Sequence, residues 1–245
     1  MKVSLLGIDF DNLSFEDVEK IVDEAVKKNK KVVFCDVNTY SLYLYHKKDY
    51  YRNFIIKKCN YVVADGMSII FSSVLFKKPL KERLSGIDVM QKLIEIACKK
   101  DYRIYLLGST KEVVLKTKDI INARCGKKIV VGYEDGFFQE NEFEQVVENI
   151  NKLRPNIIFI GISSPKRELF IDFALDKLEV NFIMGVGGSF EIISGFKKRA
   201  PKWIQKIGFE WLYRLIQDPK GKFFRYLISH SYYLYLNIKY IFKKN

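Results

Sequence analysis

Seven short, mostly β-branched apolar runs punctuate this chain, at residues 3–8, 31–37, 61–64, 103–107, 128–133, 157–160 and 181–184. Between them lie stretches with helical spacing of apolar residues, at 14–28, 67–76, 88–99, 111–125, 142–152 and 166–178. The runs are nearly continuous rather than alternating, as expected when helices cover both faces of a parallel sheet. This rhythm predicts an α/β fold: a Rossmann-like parallel sheet with helices on both faces and ligands at the carboxyl ends of its strands. Ser14, followed three residues later by Asp17, marks a helix start. No internal repeat or flexible linker interrupts the pattern, and composition changes only near Gly195. The chain therefore divides into a core, 1–195, and a helical, basic C-terminal appendage, 196–245.

The appendage carries most of the charge. Of a net +13, residues 196–245 hold +10, with twelve Lys or Arg against Glu210 and Asp218. The basicity is thus a local device that draws the chain to an anion: a phospholipid surface, a diphosphate or nucleic acid. The N-terminal MKVSLLGIDFDN has no apolar core long enough for a signal peptide. No stretch reaches the ~18 apolar residues of a membrane-spanning helix. These features predict a cytoplasmic protein whose membrane contact is peripheral. The four cysteines, Cys35, Cys59, Cys98 and Cys125, include no CxxC pair and sit mostly in apolar segments, so buried, reduced thiols are expected.

Polar residues collect at the predicted strand ends: Asn38-Thr39, Asp65-Gly66, Gly108-Ser109, Glu134-Asp135-Gly136, the Gly161–Lys166 stretch and Gly185-Val-Gly187-Gly188. Any one could be a turn. Six together suggest one shared site, with glycines admitting backbone N–H groups to phosphate oxygens. A phosphorylated or nucleotide ligand follows. Asp65, between a strand and a helix, suits either a helix cap or a general base. Asp9-Phe-Asp11 has the form of a metal-binding DxD, but its place after the first strand suits a solvated turn. His46 and His230, the only histidines, lie far apart in sequence, which disfavours a histidine metal site or a triad. The Gly185–Gly188 run lacks the dinucleotide glycine spacing and its downstream acid. No metal and no cofactor are expected. Arg83 and Arg199, loop cations near strand ends, suit a diphosphate clamp.

The series DGMSI, KERLSGID, LLGST, GYEDGFF, GISSPKRE, GVGGSFEIISG and KRAPKWIQKIGFEWLYRL resembles the WecG/TagA/CpsF family of bacterial glycosyltransferases, in order and spacing, over nearly the whole chain. The resemblance implies an inverting, metal-independent transfer of a sugar, N-acetylmannosamine-like, from a UDP-sugar to an undecaprenyl-diphosphate-linked sugar. The setting would be the inner membrane face, in teichoic acid, capsule or exopolysaccharide precursor synthesis. It makes Asp65 the general base and Arg83 a diphosphate ligand. By position, it places Asp36, Asn38, Thr39, Gly108, Ser109, Asp135, Gly136, Lys166, Arg167, Glu168, Gly187, Gly188, Arg199, Arg214 and Arg225 around the substrates. Three positions depart from the family pattern: Asp36 stands for a threonine, Arg167 for a glutamine and Glu191 for an aspartate. Asp36 thereby becomes a second candidate base.

In the tail, Phe224, Leu227, Ile228, Leu234, Tyr235, Ile238, Ile241 and Phe242 fall on one helical stripe, beside Lys222, Arg225, Lys239, Lys243 and Lys244. That stripe suits either the lipid headgroup region or the domain core. The implied partners are a UDP-sugar donor, a polyprenyl-diphosphate-linked acceptor and an anionic membrane surface, without nucleic acid; homo-oligomerisation stays open. Two other classes remain at this point: a non-enzymatic membrane or nucleic-acid binder, and a nucleotide-sugar epimerase or dehydrogenase.

Overall fold

The computed structural model describes residues 1–243, so Lys244 and Asn245 lie outside the described residues, as does the side chain of Lys243. Strands β1 (Lys2–Leu5) and β2 (Ile8–Asp11) come first, then α1 (Phe15–Lys27), β3 (Val32–Val37), α2 (Thr39–Lys47), α3 (Asp49–Lys57) and β4 (Tyr61–Ala64). Next come α4 (Met67–Leu75), α5 (Gly86–Lys100), β5 (Ile104–Gly108), α6 (Lys111–Cys125) and β6 (Val130–Glu134). The core continues through α7 (Phe143–Lys152), β7 (Ile157–Gly161), α8 (Lys166–Ala174), β8 (Phe182–Gly185) and α9 (Ser189–Ile193). The described chain closes with α10 (Lys202–Lys206), α11 (Glu210–Gln217) and α12 (Pro219–Lys243).

Six strands form one parallel sheet in the order β4-β3-β8-β7-β5-β6. Successive side chains of each strand serve opposite faces. Ile158 and Ile160 join Tyr51, Phe143 and Phe170 under α3, α7 and α8, while Ile157 and Phe159 join Val22, Leu93 and Ile121 under α1, α5 and α6. The central strands are buried on both faces, which is why they read as unbroken apolar runs. Each fully buried Phe or Ile stabilises the fold by about 1.5–3 kcal/mol in transfer terms. The Ser14–Asp17 signal is realised as a capping box on α1.

Four expectations are corrected. The first apolar run is a two-stranded hairpin outside the main sheet, reversed at Leu6-Gly7, both with positive φ. Asp9 and Asp11 consequently lie on β2, where Asp11 accepts a 2.9 Å hydrogen bond from the Val62 N–H and closes the free edge of β4. Two helices, α2 and α3, fill the span between β3 and β4, where no helix is marked above. The cysteines are paired, Cys35 with Cys59 and Cys98 with Cys125, because neighbouring elements bring residues 24 and 27 positions apart to Cα separations of 6.2 and 5.2 Å.

The tail helix docks by an unexpected face. Ser229, Tyr233, Leu236, Asn237 and Tyr240 turn inward onto α2 and α4. Tyr233 donates to the Ser68 carbonyl at 2.7 Å, and Ser72 donates to Asn237 Oδ1 at 2.7 Å. The apolar stripe points outward instead: Phe224, Leu227, Ile228, Leu234, Tyr235, Ile238, Ile241 and Phe242 are all exposed. Packing on the core is therefore the work of a mixed polar and aromatic face. No described helix is long and apolar enough to cross a membrane.

Candidate active site

The carboxyl ends of β3, β4, β7 and β8 open into a cavity of about 390 Å³, roofed by α11 and the start of α12. It is lined by Asp36, Asn38, Thr39, Asp65, Arg83, Arg167, Gly187, Gly188, Arg214 and Arg225, ten of the residues singled out from sequence. They come from six separate stretches of chain, which the parallel topology brings together.

Asp65 follows β4, and its backbone N–H donates to the Val37 carbonyl at 3.0 Å. It does not cap α4; that position is Gly66, with no side-chain cap. Its carboxylate instead accepts 3.2 Å from Asn38 Nδ2. Asn38 in turn caps α2, its Oδ1 accepting from the Tyr40 and Ser41 N–H groups at 3.0 and 3.2 Å. The helix start thus fixes the amide, and the amide fixes one carboxylate oxygen. Among the described residues, no side chain donates to the other oxygen, which faces the cavity.

Asp36 stands beside it at the end of β3. Burial, and then the Asp65 charge, push its carboxyl up to about 7. Burial opposes the charge on Arg167, yet Glu168, Tyr51 and Asp36 bind its proton more tightly than usual. Arg167 donates through Nε and Nη2 to Glu168 Oε1 at 2.9 and 2.6 Å.

The arginines divide into two kinds. Arg199 forks onto Asp88 at 2.5 and 2.7 Å and does not line the cavity, so it ties the tail to α5 rather than standing open as a clamp. Glu210 holds Arg214 at 2.5 Å and Arg83 at 3.4 Å, gathering two cavity cations on one carboxylate. Among the described residues, no carboxylate pairs with Arg225, which lies 4.0 Å over the Tyr40 ring. Burial, and the nearby Arg167 and Arg214, lower its proton affinity. Lys197, Lys198 and Lys222 extend this basic rim.

The remaining predicted residues support the site from outside. Ser109 donates to Glu191 Oε1 at 2.9 Å, and its carbonyl accepts from the Gly136 N–H at 2.8 Å. Gly108 abuts Gly161 on the neighbouring strand. Asp135 accepts from the Phe137 N–H at 2.9 Å, which makes it a turn residue. Lys166 donates to the Gly136 and Phe138 carbonyls and lies 4.0 Å over the Phe138 ring. Glu168 is buried beneath Arg167. Glu191, one of the three departures from the family pattern, is on the cavity wall; residues that sequence reasoning left out of the site are Tyr40, Lys197, Lys198, Glu210, Trp211, Lys222, Tyr226 and His230, also on that wall. Glu210 and Trp211 stand inside the EWLYR run, which was the available signal. Among the described residues, no group of three or more His, Cys, Asp or Glu side chains could hold a metal ion.

The family model for the glycosyl transferase WecG/TagA/CpsF family matches residues 3–245. The chain belongs to that family. Similar relatives include the N-acetylglucosaminyldiphosphoundecaprenol N-acetyl-β-D-mannosaminyltransferases of Staphylococcus aureus strains MW2 and MRSA252. Each is 32% identical over 228 residues, covering 89% of this chain and 86% of the relative. This is a glycosyltransferase, which removes the binder and the epimerase or dehydrogenase from consideration.

Proposed function

We propose that this glycosyltransferase moves an N-acetylmannosamine-like hexose from a UDP-sugar to a polyprenyl-diphosphate-linked sugar, with inversion and without a metal ion. Asp65 accepts the proton of the acceptor hydroxyl, and the resulting oxygen attacks the anomeric carbon opposite the leaving diphosphate. A single displacement inverts that centre. Charge on departing UDP is met by Arg225, Arg83, Arg214 and the rim lysines. The observation that carries this reading is the Asn38–Asp65 pair: a strand-end carboxylate spared from capping, held by an amide, and faced across the cavity by cations. The activity named for the staphylococcal relatives supports the transferred sugar and the acceptor class.

Residues 196–245 act in this reading as an appendage with two faces. Arg214 and Arg225 complete the cavity from one side. On the other, α12 exposes its apolar stripe and the segment before it exposes Trp203, Ile207 and Ile216, apolar side chains that favour a lipid headgroup layer. The enzyme then works peripherally on the inner membrane face, where the lipid-linked acceptor resides. The test is UDP release by wild type and Asp65→Asn, with a panel of UDP-sugars, a short polyprenyl-diphosphate-GlcNAc acceptor and EDTA. Acceptor-dependent release that survives EDTA and falls about 10²–10⁴-fold in the variant is expected. Full activity of Asp65→Asn would move the base elsewhere, with Asp36 next.

A further inference from the structure

The cavity has an electrical polarity. Its open rim carries Arg225, Lys197, Lys198 and Lys222, of which, among the described residues, only Lys222 has a carboxylate nearby, Asp218 at 3.7 Å. Its floor is the reverse. Asp36 and Asp65 face the cavity there, and the two cations whose charge reaches them, Arg167 and Arg214, are already matched by Glu168 and Glu210. Glu168 Oε2 has no hydrogen-bond partner, so that carboxylate has no second donor to share. Among the described residues, no other residue donates a hydrogen bond to the Asp36 carboxylate either. It is an open acceptor at the bottom of the pocket.

Both floor side chains have space cleared for them by missing Cβ atoms. A Cβ at Gly86 would stand 2.8 Å from Asp36 Oδ2, and one at Gly185 would stand 2.8 Å from Arg167 Cδ. Asp36 is thus accommodated from β3 against the start of α5, and Arg167 from α8 against the end of β8. The pair is built in, not left over at a surface.

We propose that Asp36 is a specificity determinant: it makes the floor acidic, so that the sugar delivered there is an uncharged hexose or hexosamine and a hexuronate is rejected. The inference rests on the nucleotide-sugar reading above and adds the residue that enforces the charge class of its sugar. A diphosphate is drawn to the rim, and the sugar it carries is pressed toward the carboxylates. A neutral sugar offers hydroxyls that an unpartnered carboxylate can accept from. A sugar carboxylate offers a like charge instead, at short range and away from bulk water.

The experiment is isothermal titration at about pH 8 of the full chain and its Asp36→Asn variant with UDP, a UDP-N-acetylhexosamine and the C6-oxidised uronate of that sugar. Wild type is expected to bind the hexosamine about 30-fold more tightly than the uronate. Asp36→Asn is expected to narrow that ratio at least about fivefold, with UDP affinity changed less than about threefold. A second arm needs no variant. The groups facing Asp36 are Asp65 after β4, Arg167 on α8, Arg214 on α11 and Tyr51 on α3. Lowering the pH of wild type to about 5.5 protonates Asp36 while both sugar diphosphates stay ionised, so the ratio shrinks there too. Uronate binding equal to that of the hexosamine, or a ratio untouched by both the variant and the pH, overturns the inference. Failure of UDP and every UDP-sugar to bind would defeat the nucleotide-sugar reading itself, and this inference with it.

Discussion

Asp36→Asn makes a thermodynamic prediction that is separate from catalysis. Burial and the neighbouring Asp65 push the Asp36 carboxyl from its ordinary 3.8 up to about 7. The folded protein therefore holds that proton more tightly than the unfolded chain does. Below about pH 4 both states are protonated and the group costs nothing; as pH rises through the folded value, stability is lost. At about 1.36 kcal/mol per tenfold change in proton affinity, the full loss above pH 7 is about 4 kcal/mol, and water entering through the cavity mouth reduces it to about 2. Asparagine keeps the shape without the charge. Urea denaturation of both proteins from about pH 4.5 to 8.5 should give curves that nearly coincide in acid, with the variant about 2–4 kcal/mol more stable at the alkaline end. Titrating groups remote from Asp36 cancel in the difference, whereas its neighbour Asp65 belongs to the same coupled pair. A gap independent of pH, or a variant that falls below wild type as pH rises, would mean that Asp36 is ionised without cost. The acidic-floor reasoning would then be wrong at its root.

Arg225→Ala should weaken UDP binding about 10–100-fold in titration, because no carboxylate among the described residues pairs with Arg225. Arg199→Ala should do the opposite: a loss of about 1–3 kcal/mol in thermal stability from the abandoned Asp88, with a much smaller change in UDP affinity. Asn237→Ala removes buried hydrogen bonds to Ser72 and to the Tyr233 carbonyl. It should cost about 1–3 kcal/mol and speed limited proteolysis within α12. Paired Leu234→Glu and Ile238→Glu changes, on side chains that are 60% and 55% exposed, should leave the melting temperature within about 2 °C of wild type while abolishing flotation with anionic vesicles.

The buried parallel strands were legible because nothing about them is ambiguous: covered on both faces, each reads as a short apolar run. The hairpin at the N-terminus was not, since its reversal uses Leu6 with positive φ, a residue that carries no turn signal. Helices α2 and α3 escaped for a related reason. TYSLYLYHK sits between the sheet and α12, so it has no fully solvated face to set a helical period. Asp65, Asn38 and the rim arginines were found as residue types at strand ends. Their partners were not: Asp88 and Glu210 turn three arginines into latches, and each pairing spans more than a hundred residues or joins a motif to itself.

Those latches change what the charge of the tail means. Sequence alone counts +10 in residues 196–245. Arg199 and Arg214 are spent on Asp88 and Glu210 inside the fold, and Arg225, Lys197 and Lys198 border the cavity. Among the described side chains, what remains for an outer anionic surface is a smaller set, chiefly Lys202, Lys206, Lys220 and Lys239, each contributing about 1 kcal/mol or less near such a surface. That is too little to hold the enzyme by charge alone at physiological salt, where exposed charges are screened beyond about 8 Å. On the proposed peripheral reading, the outward apolar stripe of α12 supplies most of the attachment. Vesicle binding should therefore lose affinity only gradually between about 0.1 and 0.5 M NaCl, by less than about tenfold, whereas purely electrostatic attachment would fall much more steeply and would contradict this division of the tail.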